Sequence, residues 1–228
     1  DSILAAQFTG CKAIESGEFS TVFKAKHRLD GKTYAVKKLK LDRMEKQLSE
    51  GAFFTEQDKR VEAEVKTLTK LNTEFVLKYY NSWTQEQHLY VFTEYCKQTL
   101  AEVLNEKHEA FGRQPTEPME SIEYFISCEI FRELLECLQY IHGLYPPVIH
   151  RNIKPNNIYI SYDNKNSRFI KLGDFGLATD YEHRANTQSD PNGKYMAPEV
   201  RDGSHYSIKA DVYSVGCVAA DLFDINTV

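Results

Sequence analysis

Between Val148 and Ile160 the chain places a His, an Arg, a Lys and an Asn in one polar turn with β-rich flanks. Val148-Ile149 leads in, His150-Arg151-Asn152-Ile153-Lys154-Pro155-Asn156-Asn157 forms the turn, and Ile158-Tyr159-Ile160 leads out. A second turn, Asp174-Phe175-Gly176, follows the alternating stretch Phe169-Ile170-Lys171-Leu172. Two strand-flanked turns thus present an amide, Asn157, and a carboxylate, Asp174. Such oxygen donors suit a hard cation such as Mg²⁺, which binds few protein ligands and keeps several waters.

The elements that must hold these turns fall into two kinds. From Phe8 to Lys40 the pattern is β, with Val22 to Lys26 and Thr33 to Lys37 joined across Asp30-Gly31, a strong hairpin signal. Residues 41–60 are polar with a Gly-Ala-Phe-Phe interruption and read as an irregular insertion. Val61, Val65, Leu68 and Leu71 make a helical stripe, with Glu64 on its edge, and two further strands are expected over Phe75–Tyr80 and His88–Glu94. Beyond residues 95–98 the character becomes helical. Glu120 to Leu144 predicts an amphipathic helix with Ile122, Phe125, Ile126, Ile130, Phe131, Leu134, Leu135, Leu138 and Ile141 on its apolar face and Gly143 at its cap. Asp211 to Phe223 is apolar nearly all round and predicts a buried helix. No internal repeat stands out.

Composition excludes several classes. With 42% apolar and 27% charged residues the 228-residue chain is an ordinary globular sequence, sized for one large domain or two small lobes. A net charge of −5 argues against a nucleic-acid footprint. No apolar run approaches the ~18–20 residues of a membrane span. The five cysteines are scattered without a CxxC pair, so reduced thiols in a cytoplasmic or nuclear setting are expected rather than disulfides or a zinc site.

The two polar turns resemble the catalytic and metal-binding loops of eukaryotic protein kinases, H-R-D-L-x-x-x-N followed by D-F-G. The resemblance extends along the chain in the family's order. Ile14-Glu15-Ser16-Gly17-Glu18-Phe19-Ser20-Thr21-Val22 stands in the place of the glycine-rich loop with only its middle glycine kept. Ala35-Val36-Lys37 resembles the strand whose lysine meets phosphates and pairs with a helical Glu, here Glu64. Ala197-Pro198-Glu199 and Asp211-Val212-Tyr213-Ser214-Val215-Gly216 resemble the later motifs.

The resemblance implies an α+β bilobal fold, with a small β-rich N-lobe over 1–95 and a helical C-lobe over 96–228 that is incomplete after the Asp211 helix. It implies ATP as the nucleotide, with Ile14, Gly17, Val22, Ala35, Lys37, Thr93, Glu94 and Cys96 around it. It also implies Mg²⁺ on Asn157 and Asp174, Lys154 on the transferring phosphate, and Thr187 as a phosphosite. Phe23 to Tyr34, Lys78 to Trp83 and Glu94-Tyr95-Cys96 are similar to the kinases of the alpha subunit of translation initiation factor two. The Wee-type kinases share several of these stretches. A protein substrate, that alpha subunit foremost, and self-association through the N-lobe are the implied partners, with no membrane.

One letter departs from the pattern. Asn152 stands where the family has the Asp that accepts the substrate hydroxyl proton. A lost base typically lowers a rate by ~10²–10⁴. Pro191-Asn192 likewise replaces an expected Gly-Thr pair. Three readings stay open: a slow serine/threonine kinase, a nucleotide-binding pseudokinase that signals by conformation, and an ATP-free scaffold. Nucleotide binding itself is expected to be untouched by Asn152, because none of the implied ligands stands at that position.

Overall fold

A computed structural model describes residues 3–17, 20–41, 65–72, 74–162, 168–175, 193–202 and 207–225, and the backbone of 179–180. The expected insertion beyond Leu41, Glu64, Thr187 and Pro191-Asn192 lie outside the described residues. The chain divides into two compact units, one of residues 1–70 and 78–95, the other of residues 71–77 and 96–228.

The first unit is built on a five-stranded antiparallel sheet. After a short helix α1 (Ile3–Gln7) come β1 (Phe8–Ser16), β2 (Ser20–His27), β3 (Thr33–Lys40), β4 (Tyr79–Gln85) and β5 (His88–Glu94) in the spatial order β1-β2-β3-β5-β4. Helix α2 spans 65–70. The β2–β3 hairpin turns through Gly31 at φ 69°, a left-handed conformation that glycine adopts without strain. Asp30 fixes the turn by accepting from the Lys32 N–H at 2.9 Å and from the Tyr34 hydroxyl. One sheet face is packed with Phe8, Ala25, Tyr34, Val36 and Tyr90, flanked by Trp83 and Phe92. Trp83 stacks on Tyr90 with ring centroids 5.1 Å apart, and Phe92 meets Tyr34 edge-on at 4.5 Å. These aromatic contacts hold the register that sets the opposite face.

The expected strand over Phe75–Tyr80 is corrected. Phe75, Val76 and Leu77 belong to the second unit, where Val76 bridges in parallel to Leu172 and the Leu77 N–H donates to the Leu172 carbonyl at 2.9 Å. The strand of the first unit begins at Tyr79 and runs through the polar residues Asn81 to Gln85. Cross-strand packing of Trp83 outweighs the weak strand preference of its neighbours.

The second unit contains β6 (Gln98–Thr99), α3 (Leu100–Ala110), α4 (Ser121–His142), β7 (Val148–Ile149), a 3₁₀ turn (Pro155–Asn157), β8 (Ile158–Ile160), β9 (Ile170–Leu172), β10 (Thr179–Asp180), α5 (Pro198–Arg201) and α6 (Lys209–Leu222). Helix α3 starts on a capping box: the Glu102 N–H donates to the Thr99 hydroxyl while the Glu102 carboxylate takes the Thr99 N–H at 2.7 Å. In α4, Leu134, Cys137, Leu138 and Ile141 are buried, but Ile122, Phe125, Ile126 and Leu135 are exposed, so the buried stripe is narrower than the sequence predicts. The N-terminal half of α4 instead buries Glu123, held by Arg113 at 2.5 and 2.6 Å. Helix α6 is likewise not buried all round, since Val212 and Tyr213 face solvent while Ala210, Asp211, Ser214, Val215 and Val218 are covered. Among the described residues no helix is long and apolar enough to cross a membrane.

Candidate active site

Antiparallel pairing in the first unit places Val22 opposite Lys37, Lys37 opposite Val91, and Ala35 opposite Thr93. Residues directly opposite share a face, as do positions two apart. Val22, Ala35, Lys37 and Thr93 therefore stand on one face of the sheet, away from the aromatic cluster. At Ile14 the β1–β2 register slips by one residue between Ala13 and Glu15, leaving Ile14 as the extra residue of a bulge, half exposed. The Gly17 N–H closes the turn onto the Ser20 carbonyl at 2.8 Å. A Cβ at Gly17 would meet the chain only at 3.8 Å, so its own fold does not demand glycine there.

Glu94 turns to the other side of the strand. Its carboxylate accepts the Lys78 N–H at 2.7 Å while its own N–H donates to the Lys78 carbonyl. The side chain is thus used to close the β4–β5 edge, which leaves only its backbone carbonyl for the role the resemblance implies. Cys96 lies just past the boundary, in the second unit, half-buried.

In the second unit one buried acid organises the polar turn. Asp211, fully buried in the first turn of α6, accepts the backbone N–H of His150 at 2.8 Å and of Arg151 at 2.7 Å. A third bond joins its Oδ2 to His142 Nε2 at 2.8 Å. This grip holds Arg151 at φ 63°, which a non-glycine residue rarely adopts. His150 is buried completely, its ring 4.5 Å from that of Phe175. Its Nδ1 accepts the Asn152 N–H at 3.3 Å, so the ring proton lies on Nε2, which donates to the Gly173 carbonyl at 3.0 Å. Burial holds its pKa below the ordinary histidine value, keeping the imidazole neutral.

The turn residues then meet. The Asn157 side-chain amide donates through Nδ2 to the Asn152 carbonyl at 2.8 Å, which fixes its amide plane and leaves Oδ1 as its acceptor end. The Gly173 N–H donates to the Asn157 carbonyl at 3.0 Å. Asp174 follows at φ 58°, and its Oδ2 accepts from the Asn152 side-chain Nδ2 at 2.8 Å. The amide must present its NH₂ end here, because its oxygen would face the carboxylate with no proton between them. Lys154 precedes the 3₁₀ turn in extended conformation, half-buried. The structure thus brings Asn152, Asn157 and Asp174 into one bonded set.

Two oxygen donors, from Asp174 and Asn157, fit a hard cation that keeps much of its water. Among the described residues no group of three His, Cys, Asp or Glu side chains gathers as an alternative metal centre. Sequence reasoning foresaw these residues but not the Asn152–Asp174 bond, which needs coordinates. It also passed over Asp211 as an anchor and His142 as its partner.

Comparison with known proteins identifies the family. The family model described as the protein kinase domain matches residues 8–228. The interferon-induced, double-stranded RNA-activated protein kinase of Rattus norvegicus is 29% identical over 99% of this chain and 42% of its own length. The eIF-2-alpha kinase GCN2 of Arabidopsis thaliana is 28% identical over 95% of this chain and 20% of its own. The mitosis inhibitor protein kinase SWE1 of Saccharomyces cerevisiae is 27% identical over 97% of this chain and 26% of its own. The chain therefore spans less than half the length of these relatives, and both groups of kinases named from the sequence are represented. An antiparallel sheet unit followed by a largely helical one, His150 to Asp174 in the family's order, and a match over nearly the whole chain together establish that this chain belongs to the protein kinase family, transferases acting through ATP.

Proposed function

We propose that the chain is a serine/threonine kinase domain that binds Mg-ATP and passes its γ-phosphoryl group to a protein hydroxyl slowly. Asn152 carries this reading, since it stands at the family's base position and its side-chain nitrogen is already a donor to Asp174. An amide has no lone pair basic enough to take the hydroxyl proton, and a positioned base contributes ~10²–10⁴ in rate, or about 3–5 kcal/mol. Magnesium, when bound, neutralises charge on the phosphates. Lys37 and Lys154 would hold phosphate oxygens, and Asn157 and Asp174 would hold the metal. The substrate hydroxyl oxygen bonds to the γ-phosphorus as the bond to ADP breaks, and its proton leaves to water or to a phosphate oxygen.

The protein substrate proposed is the alpha subunit of translation initiation factor two, supported by similarity to GCN2. A cytoplasmic setting and self-association through the first unit go with that substrate. A second reading, a pseudokinase that signals through nucleotide-dependent conformation, is favoured by the same Asn152–Asp174 bond.

Two measurements decide. Saturation with Mg-ATP at about 100 times Kd should stabilise the chain by about 2.7 kcal/mol, and no shift in Tm at millimolar Mg-ATP would leave the scaffold reading. Asn152→Asp should raise phosphoryl transfer by at least about a hundredfold. An unchanged rate in that variant, with nucleotide still bound, would leave the pseudokinase.

A further inference from the structure

Asn152 is more than a missing base. Its side chain reaches one of the two residues that would hold the metal, and it does so with a proton donor. A carboxylate at the same place would set two negative groups at hydrogen-bonding distance, a pair that needs a cation or a proton between them. The amide removes that need. Its N–H partly neutralises Asp174 Oδ2 at 2.8 Å, and its main-chain carbonyl is in turn capped by Asn157 Nδ2 at 2.8 Å. Two neutral amide donors thus link the three residues, and the backbone holds a defined shape on both sides: Arg151 and Asp174 are both in left-handed conformation, with Arg151 pinned by Asp211.

We propose that Asn152 is a positioning residue that competes with a divalent cation for Asp174, so that this domain takes its nucleotide with weak dependence on magnesium. The inference rests on the nucleotide-binding reading given above. A cation approaching Asp174 must displace the amide hydrogen or share the carboxylate with it, and hydrogen bonds to charged groups are the stronger kind. Nucleotide held by the lysines and backbone would lose less affinity when magnesium is withdrawn than it would in a site with two facing acids.

The test is calorimetric titration of the 228-residue chain with ADP, in EDTA and in millimolar magnesium, for wild type, Asn152→Asp and Asn152→Ala. The quantity read is the ratio of the two Kd values. We expect that ratio to be about tenfold larger in Asn152→Asp than in wild type, with Asn152→Ala between them because it loses the donor without gaining a charge. Equal ratios in wild type and Asn152→Asp, or an Asn152→Ala ratio matching wild type, overturn the inference while leaving nucleotide binding intact. Absence of ADP binding in every protein under both conditions overturns the nucleotide reading together with the inference. Should Asn152→Ala not fold, the wild-type side-chain amide resonance of Asn152 gives the same answer. It should shift as magnesium is titrated into the ADP complex, and a resonance that stays fixed while magnesium binds counts against the competition.

Discussion

Asp211 grips Arg151 through a backbone N–H at 2.7 Å, and the residue it grips is in the left-handed region at φ 63°. A conformation that costs of order 1–3 kcal/mol is maintained by a buried acceptor 60 residues away in sequence. Asp211→Asn would present one NH₂ end to a donor, leaving a buried N–H without its acceptor. Urea unfolding should show a loss of about 1–3 kcal/mol, and transfer or nucleotide binding should weaken with it. Unchanged stability would mean that the turn holds its shape without the carboxylate.

His150 gives the domain an acid-sensitive element. Burial lowers its folded pKa below the ordinary value of about 6.5, so the unfolded chain takes up a proton that the folded chain refuses. Its contribution is complete above that pH and is lost as pH falls below it, by up to about 1.4 kcal/mol per pH unit while only the unfolded form titrates. Unfolding free energies measured between neutral and mildly acidic pH should fall more steeply for wild type than for His150→Gln. Parallel slopes would rule out His150 as the source.

Gly173 sits where a Cβ would lie 2.6 Å from both Leu77 Cδ1 and the Tyr159 ring. Gly173→Ala should destabilise the domain by about 1–3 kcal/mol through overpacking. Pairing it with Leu77→Ala should show coupling, the double variant losing less than the sum of the two singles. Strict additivity in a thermodynamic cycle would count against the steric account.

Lys37 shares its sheet face with Val22, Ala35 and Thr93. Lys37→Ala should weaken ATP about tenfold to a hundredfold, the worth of a charge-assisted hydrogen bond to phosphate. Titration of both proteins checks this, and equal affinities would remove Lys37 from the phosphate site.

The parts of this molecule that sequence revealed are those with a local signature. Asp30-Gly31 announced its hairpin because a left-handed turn needs such residues, and the 3.6-residue repeat in α4 announced a helix. Helix α3 passed unnoticed although Thr99 and Glu102 spell a capping box, since its few buried side chains give a faint repeat. The strand at Tyr79–Gln85 was misplaced because Asn81 and Ser82 carry little β preference and Trp83 earns its place through Tyr90 on the neighbouring strand. At the site, residue identities were legible, but the meeting of Asn152 with Asp174 depends on two turns closed by Asp211 and Gly173 from distant segments.

Because side chains alternate across a strand, the core packing of Tyr34, Val36 and Tyr90 and the place of Lys37 on the opposite face depend on the same hydrogen-bond ladder. Sliding β3 by a single step would put the lysine among the rings and turn Tyr34 and Val36 to the opposite face. A chain that mispairs here cannot keep a sound core and a usable lysine at once, so quality control of folding is also quality control of recognition.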